Sequence, residues 1–373
     1  MKEKKSVLLI IGLLPAIVLA GCYPSGGELL SNEDNGAISE QIEDIVSGNE
    51  NLDVDVTLAE NALEVPEINV KVMEWDEEKI KSIFLEGKDN LEHEEHKSEP
   101  FPNDTLHLYT EEDNYWLSYE PTYLSSTNSS SGVFGYNTLE ANLNLLRLED
   151  IFTDNEISVL SKDEAAKRCT DLLEKLGITN YSEPTVWAVK VDKANKYWKE
   201  DGYDKSTNKD GTSSFEYWSS PDDEIYLMRF PLKYNDIPVT VTRQSNRENY
   251  GDAAMFAGTY ADFVVTKDVI FSLNAINIFS PEYEPGEKVK INCSAENAVK
   301  IAAEHYDSLG TDGMNYKVFN CKLVYVPHEQ YNEKNFTLVP MWEIEAAHYM
   351  DDDIIGVREN LFIDAQNGNV IIW

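Results

Sequence analysis

Apolar positions along the chain switch between a period of two and a period of 3.6 residues, and the switch recurs. Val65 to Met73 (VPEINVKVM) alternates like a strand. Asp76 then caps a short helix, EEKIKSIFLEG, which stops at Gly87. Leu106–Tyr109 and Tyr115–Tyr119 predict a hairpin around EEDN. A second helix follows in SKDEAAKRCTDLLEKLG. Ser161 and Glu164 form a capping-box pair, Ala165, Cys169, Leu172, Leu173 and Leu176 line one face, and Gly177 ends it. Strands are expected at Thr185–Val191, Ile225–Tyr234 and Ile237–Thr242, with a hairpin from Phe263 to Leu273 around Lys267-Asp268.

The helix pattern repeats 133 residues later in CSAENAVKIAAEHYDSLG. Ser294 then matches Ser161, Ala298 matches Ala165, Ala302 matches Cys169, and Leu309-Gly310 matches Leu176-Gly177. Strands are expected at Tyr316–Val326, Leu338–Ala346 and Glu359–Asp364, and Asn367-Gly368 signals a closing turn. The fold class is therefore α+β. The third unit resembles a PepSY domain through the helix Ser294–Ala302, the run Pro340-Met341-Trp342-Glu343-Ile344, and the hairpin Phe362-Ile363-Asp364-Ala365-Gln366-Asn367-Gly368-Asn369-Val370. PepSY domains usually place Thr-Gly at that turn, and Asn367 replaces the Thr here. The second unit, with Tyr234-Asn235-Asp236-Ile237-Pro238-Val239, looks like a divergent copy. The layout is similar to Firmicutes lipoproteins with paired PepSY-like units and to the extracytoplasmic YycI and YycH regulators. The resemblance implies a non-catalytic α+β module that binds or inhibits another extracytoplasmic protein.

The first residues, MKEKKSVLLIIGLLPAIVLAGC, join a basic flank to an apolar run from Val7 to Ala20, shorter than a spanning helix needs. Leu19-Ala20-Gly21-Cys22 looks like a bacterial lipobox, in which the Cys22 thiol takes a diacylglyceryl group. The expected order is a lipoprotein signal peptide at 1–21, an acidic tether at 22–50, an N-terminal α+β region at 51–150, and PepSY-like units at 151–280 and 281–373. The expected location is the extracytoplasmic face of the cell membrane, held by the N-terminal lipid.

Charge narrows the partners. The 373 residues carry 31 Lys and Arg against 68 Asp and Glu, a formal net charge of -37. Such a surface repels phosphate backbones, so no nucleic-acid partner is expected. The expected partner is an envelope protein or peptide. An insertion near 198–218 gathers Trp198, Tyr203, Phe215, Tyr217 and Trp218 around a polar loop. These rings form either a partner-binding surface or packing beneath the loop.

Catalytic patterns are sparse. There is no Gly-x-Ser-x-Gly elbow and no Gly-rich phosphate loop, and no cofactor is expected. Ser206-Thr-Asn-Lys209 matches Ser-x-x-Lys only by letter, and Asp204–Gly211 lacks the Glu that ends an EF-hand loop. Asp351-Asp352-Asp353 reads as a solvated acidic loop. His93-Glu94-Glu95-His96 is not a His-Glu-x-x-His helix pair; it reads as a loop-borne charge run with no metal assigned, the alternative being a weak Zn²⁺ or Ni²⁺ site completed by carboxylates. The alternative function is an envelope hydrolase built on carboxylates or a metal. Cys169 lies in its helix's apolar stripe, and Cys293 and Cys321 are either a disulfide or two buried thiols.

Overall fold

The computed structural model describes residues 52–54, 64–88, 90–98, 103–111, 115–121, 123–128, 152, 154–200, 217–242, 244–245, 255–256, 258–309, 315–329, 334–350, 353–354 and 359–371. The lipobox and tether lie outside them. The chain opens with β1 (Leu52–Val54), β2 (Glu64–Lys71), α1 (Glu77–Phe84), β3 (Glu92–Lys97), β4 (Thr105–Glu111), β5 (Tyr115–Glu120) and β6 (Tyr123–Asn128). Next come α2 (Lys162–Leu176), β7 (Thr185–Val189), α3 (Val191–Glu200), β8 (Ile225–Pro231), β9 (Lys233–Tyr234), β10 (Ile237–Pro238), β11 (Gln244–Ser245), β12 (Met255–Phe256), β13 (Tyr260–Val265) and β14 (Ile270–Ile276). The last stretch holds β15 (Glu284–Lys290), α4 (Ala295–Ser308), β16 (Asn315–Glu329), β17 (Asn335–Met350), β18 (Asp353–Ile354), β19 (Glu359–Asp364) and β20 (Val370–Ile371).

The fold is α+β, and its recurring unit is a helix followed by a four-stranded antiparallel meander. α1 precedes β3-β4-β5-β6, α2 precedes β7-β8-β13-β14, and α4 precedes β16-β17-β19-β20. Local chemistry starts each helix in the same way. Asp76, Ser161 and Ser294 accept the backbone N–H of Lys79, Glu164 and Asn297, filling one otherwise unpaired donor in each first turn. Only the Ser161 side of the expected capping box is seen; the Glu164 carboxylate receives Arg168 Nε at 3.3 Å one turn on. Gly177 ends α2 at φ 92°, a left-handed conformation that favours glycine. Buried Ala165 and Cys169 of α2 correspond to buried Ala298 and Ala302 of α4.

The first two meanders share one eight-stranded sheet, ordered β3-β4-β5-β6-β14-β13-β8-β7. They join through their last strands, β6 and β14, which pair antiparallel with Ser125 opposite Asn274. Ser125 Oγ donates to Asn274 Oδ1 at 2.6 Å across this joint. One face carries the main core, including Leu117, Tyr119, Met228 and Phe263, under Ile80 of α1 and Leu173 of α2. The back of the second meander carries a smaller core in which Ala194, Tyr197 and Trp198 of α3 pack on Leu227 and Val264. α3 follows β7 directly, where the sequence reading extends a strand to Val191. Ala194, Tyr197 and Trp198 have the three-to-four spacing of a helix face, a signal present in the sequence but too short to stand out.

The third meander lies in the other eight-stranded sheet. β1 runs parallel to β16, while β2 pairs with β15 and with the start of β17. Residues 51–150 therefore have no sheet of their own among the described residues: β1 and β2 join the third meander, and β3 to β6 join the second. The closing turn forms at Gly368, φ 74°, with Asp364 Oδ1 accepting Gln366 N–H at 2.7 Å.

A buried polar cluster ties the second unit to the third. After the β9–β10 hairpin, whose Asn235 and Asp236 both have positive φ, the chain crosses to β16. Thr240 N–H donates to Tyr325 O at 2.9 Å. Glu343, fully buried on β17, accepts Thr240 Oγ1 at 2.9 Å, Asn360 Nδ2 at 2.8 Å and the Thr242 hydroxyl. Lys322 Nζ lies 3.2 Å from Glu343 Oε2 and 2.7 Å from Glu345 Oε1. Burial by itself lowers the Lys322 pKa, but Glu343 and Glu345 outweigh it and hold the ammonium above its ordinary 10.5.

Two outcomes follow from this cluster. Glu343→Leu removes the shared acceptor and is expected to destabilise the fold by ~3–5 kcal/mol in urea unfolding. A folded-state Lys pKa above the unfolded value gives stability that is complete below the unfolded pKa and is lost as pH rises through the folded one. Thermal melts above about pH 10 should therefore fall more steeply for the wild type than for Lys322→Met.

Candidate functional site

A group of ligand-type side chains sits at the free edge of the first sheet. β3, the edge strand, is exposed at every position. The sequence reading places His93–His96 in a loop; the structure makes this segment a strand. The reason is that EHEEHK has no apolar alternation to reveal its pairing with β4. Charges on an edge strand also discourage pairing with other chains. Alternation of side chains then splits the two histidines: His93 and Glu95 share one face, and His96 points to the other, 3.1 Å from Glu94.

β4 supplies the third member. His107 stands opposite Glu95, and Tyr109 stands opposite His93. His107 Nδ1 lies 3.4 Å from His93 Nε2 and 3.6 Å from Glu95 Oε1, and His93 Nε2 lies 3.9 Å from Glu95 Oε1. The three ligand atoms all fall within 4.8 Å of one another. His107 has no ligand pattern nearby along the sequence, because its partners come from another strand and become neighbours only through register.

Aromatic rings hold both imidazoles. The His93 ring stacks on Tyr109 at 4.1 Å with an interplanar angle of 5°. The His107 ring stacks on Tyr119 at 4.8 Å. Both tyrosines are buried members of the main core. Burial pushes the Tyr119 phenol well above its usual range, and the nearby Tyr109, Glu77 and Glu95 add to the rise. α1 lies by the same face: its Glu77 carboxyl is held below the ordinary range by Lys81 first, with smaller contributions from His107 and His93. Trp75 Nε1 donates to Glu120 O at 2.9 Å, fixing the approach to α1. The edge site is thus two imidazole nitrogens and one carboxylate oxygen, oriented from below by the core and open to solvent above.

The structure divides the five aromatic residues of the insertion. Trp198 is fully buried and Trp218 packs on it edge-to-face at 4.9 Å. Of the two readings given for Trp198, partner-binding surface or packing, the structure gives packing, because α3 lays its apolar side on the back of the sheet. Asn195 clamps the far stem: its Nδ2 donates to Trp218 O at 2.8 Å, and its Oδ1 accepts Trp218 N–H at 2.9 Å. Tyr217 is 45% exposed beside this clamp. Tyr203 and Phe215 lie outside the described residues, as do Ser206, Lys209 and the Asp204–Gly211 segment.

The three described cysteines are buried, free thiols. Cys293 Sγ lies 3.7 Å from Ser294 O and Cys321 Sγ 3.8 Å from Ala295 O, so both cluster at the start of α4 without a bond between them. Burial pushes both thiols up to about 12, and that of Cys169 higher still. Protonated thiols in these settings are poor nucleophiles and ligands.

No family model matches the chain, and no curated protein matches it. The fold nevertheless has a solved relative. A crystal structure of an uncharacterized protein from Eubacterium rectale superposes with a TM-score of 0.63 over 87% of this chain and 92% of that one, at 13% identity. That likeness concerns the fold alone. Among the described residues no helix is long and apolar enough to cross a membrane.

The placement of the insertion aromatics has a measurable consequence. Trp198→Ala should destabilise the fold by ~3–5 kcal/mol in denaturant unfolding, as for a large buried ring. Tyr217→Ala should stay within about 0.5 kcal/mol of the wild type.

Proposed function

We propose that this protein is a lipid-anchored, extracytoplasmic, non-catalytic binding module built from PepSY-like units, acting on a protein or peptide partner at the cell envelope. The observation that carries the reading is the clamped insertion. Residues 201–216 leave from the end of α3 and return at Tyr217, and the Trp198–Trp218 pair with the Asn195 hydrogen bonds holds both stems on a packed sheet. A scaffold that fixes loop stems while leaving an aromatic side chain exposed suits recognition, since binding residues concentrate on loops carried by rigid elements. Tyr217 supplies large contact area at low entropic cost, and the adjoining sequence is rich in Asp, Lys, Ser and Asn, the polar groups that suit an interface rim. The anchoring half of the reading rests on Leu19-Ala20-Gly21-Cys22. The PepSY-like half is supported by the helix-and-meander unit, which recurs with its Ser161 and Ser294 caps.

Two measurements test it. Cys22→Ala should abolish incorporation of radiolabelled fatty acid and release the protein from the membrane; a labelled variant would refute the anchor. Replacing Asp201–Ser213 with a short Gly-Ser link should leave the melting temperature almost unchanged, because the stems are held from outside the deletion. The same variant should lose partner capture in crosslinking on intact cells. Capture that survives in the folded deletion variant would move the binding surface elsewhere.

A further inference from the structure

We infer that His93, Glu95 and His107 form a binding site for one divalent transition-metal ion of the Zn²⁺ class, which staples the edge strand β3 to β4. The first argument is distance. A tetrahedral Zn²⁺ with nitrogen and oxygen ligands at about 2.0–2.1 Å sets those ligands about 3.3–3.4 Å apart. The three edges here measure 3.4, 3.6 and 3.9 Å, so a few tenths of an ångström of side-chain movement closes the triangle around an ion. The fourth position faces solvent and would hold water.

The second argument is donor chemistry. Two imidazoles and one carboxylate suit borderline ions such as Zn²⁺, whereas Ca²⁺ and Mg²⁺ require more oxygen ligands than these three groups offer. The -37 net charge draws cations of every kind to the surface, but it does not place two nitrogens 3.4 Å apart.

The third argument is preorganisation. The two imidazole rings lie 13° from parallel, each stacked on a buried tyrosine. The core thus meets most of the ordering cost before an ion arrives. His107 is the best fixed, at 17% side-chain exposure, while His93 at 35% and Glu95 at 60% can adjust. The competing account is a solvated edge in which one imidazole N–H hydrogen-bonds to the other imidazole nitrogen and no ion binds. The two accounts differ in what His96 does: it belongs to the same charge run but lies on the opposite face.

The test is titration of the full-length chain in detergent with Zn²⁺ as the probe, by calorimetry, in excess Mg²⁺ to occupy the acidic surface. One equivalent should bind. Loss of an outer partner of a metal ligand typically weakens binding ~10–100-fold, and loss of a ligand costs at least as much. His107→Ala, His93→Ala and Glu95→Gln should therefore each weaken binding at least about tenfold. His96→Ala should bind like the wild type. Glu95→Gln changes an exposed side chain and keeps the packing intact, so the result stands even where His107→Ala fails to fold. Co²⁺ added to the wild type should develop the visible bands of a four-coordinate site, and these should vanish in Glu95→Gln. A wild type that takes up no stoichiometric Zn²⁺ would overturn the inference. So would His96→Ala weakening binding as much as His93→Ala, or a Glu95→Gln variant that binds unchanged.

Discussion

An edge strand carries a row of unpaired N–H and C=O groups, and every helix-and-meander unit of this protein ends in one. That constraint organises the rest. The first two units satisfy it together by pairing their last strands, β6 and β14, so that each meander runs outward from a shared seam. The third unit covers its first strand with a borrowed one, β1 on β16, and gains β2 at the start of β17, while its last strand, β20, stays at the edge among the described residues. The N-terminal stretch is consequently split between two sheets, because its strands serve as edge partners for units that follow much later in the chain.

Among the described residues the shared sheet ends at β3 on one side and at β7 on the other, and the sequence of β3 suits an edge. β3 carries Glu92, His93, Glu94, Glu95, His96 and Lys97, none of them apolar. This keeps the strand soluble and unattractive to other strands. Where the same strand overhangs the core face, its inward-pointing His93 and Glu95 meet His107 above the Tyr109 and Tyr119 rings. Solubility of an edge and convergence of ligand atoms therefore come from the same residues, separated only by which face each side chain takes.

The seam between the second and third units is polar where a hydrophobic contact would serve. Glu343 is fully buried, yet it is surrounded by Thr240, Thr242, Asn360 and Lys322. Such clusters add little net stability over apolar packing, but they tolerate few alternative alignments. Arg229 and Asp262 make a second buried pair at 2.6 Å between directly opposed positions on β8 and β13. Both clusters fix register, one between sheets and one within a sheet, and register decides which side chains share a face.

The sequence by itself determined the local elements. Caps at Asp76, Ser161 and Ser294, the stop at Gly177 and the turn at Asn367-Gly368 each depend on neighbours within a few residues, so they are legible without a fold. The α+β class and the matching helices around Ser161 and Ser294 were legible for the same reason. Only the tertiary structure decided how the strands are shared. The β6–β14 joint links residues about 150 positions apart through backbone groups that every residue carries, and no side-chain pattern announces it. It also decided that Trp198 is core, through a helix covering the back of a sheet that forms only after β8 and β13 pair. The edge site was half visible, as a charge run containing His93 and Glu95. Its third member, His107, is a cross-strand neighbour, and cross-strand neighbours are set by pairing register, a property of two strands that neither one encodes alone.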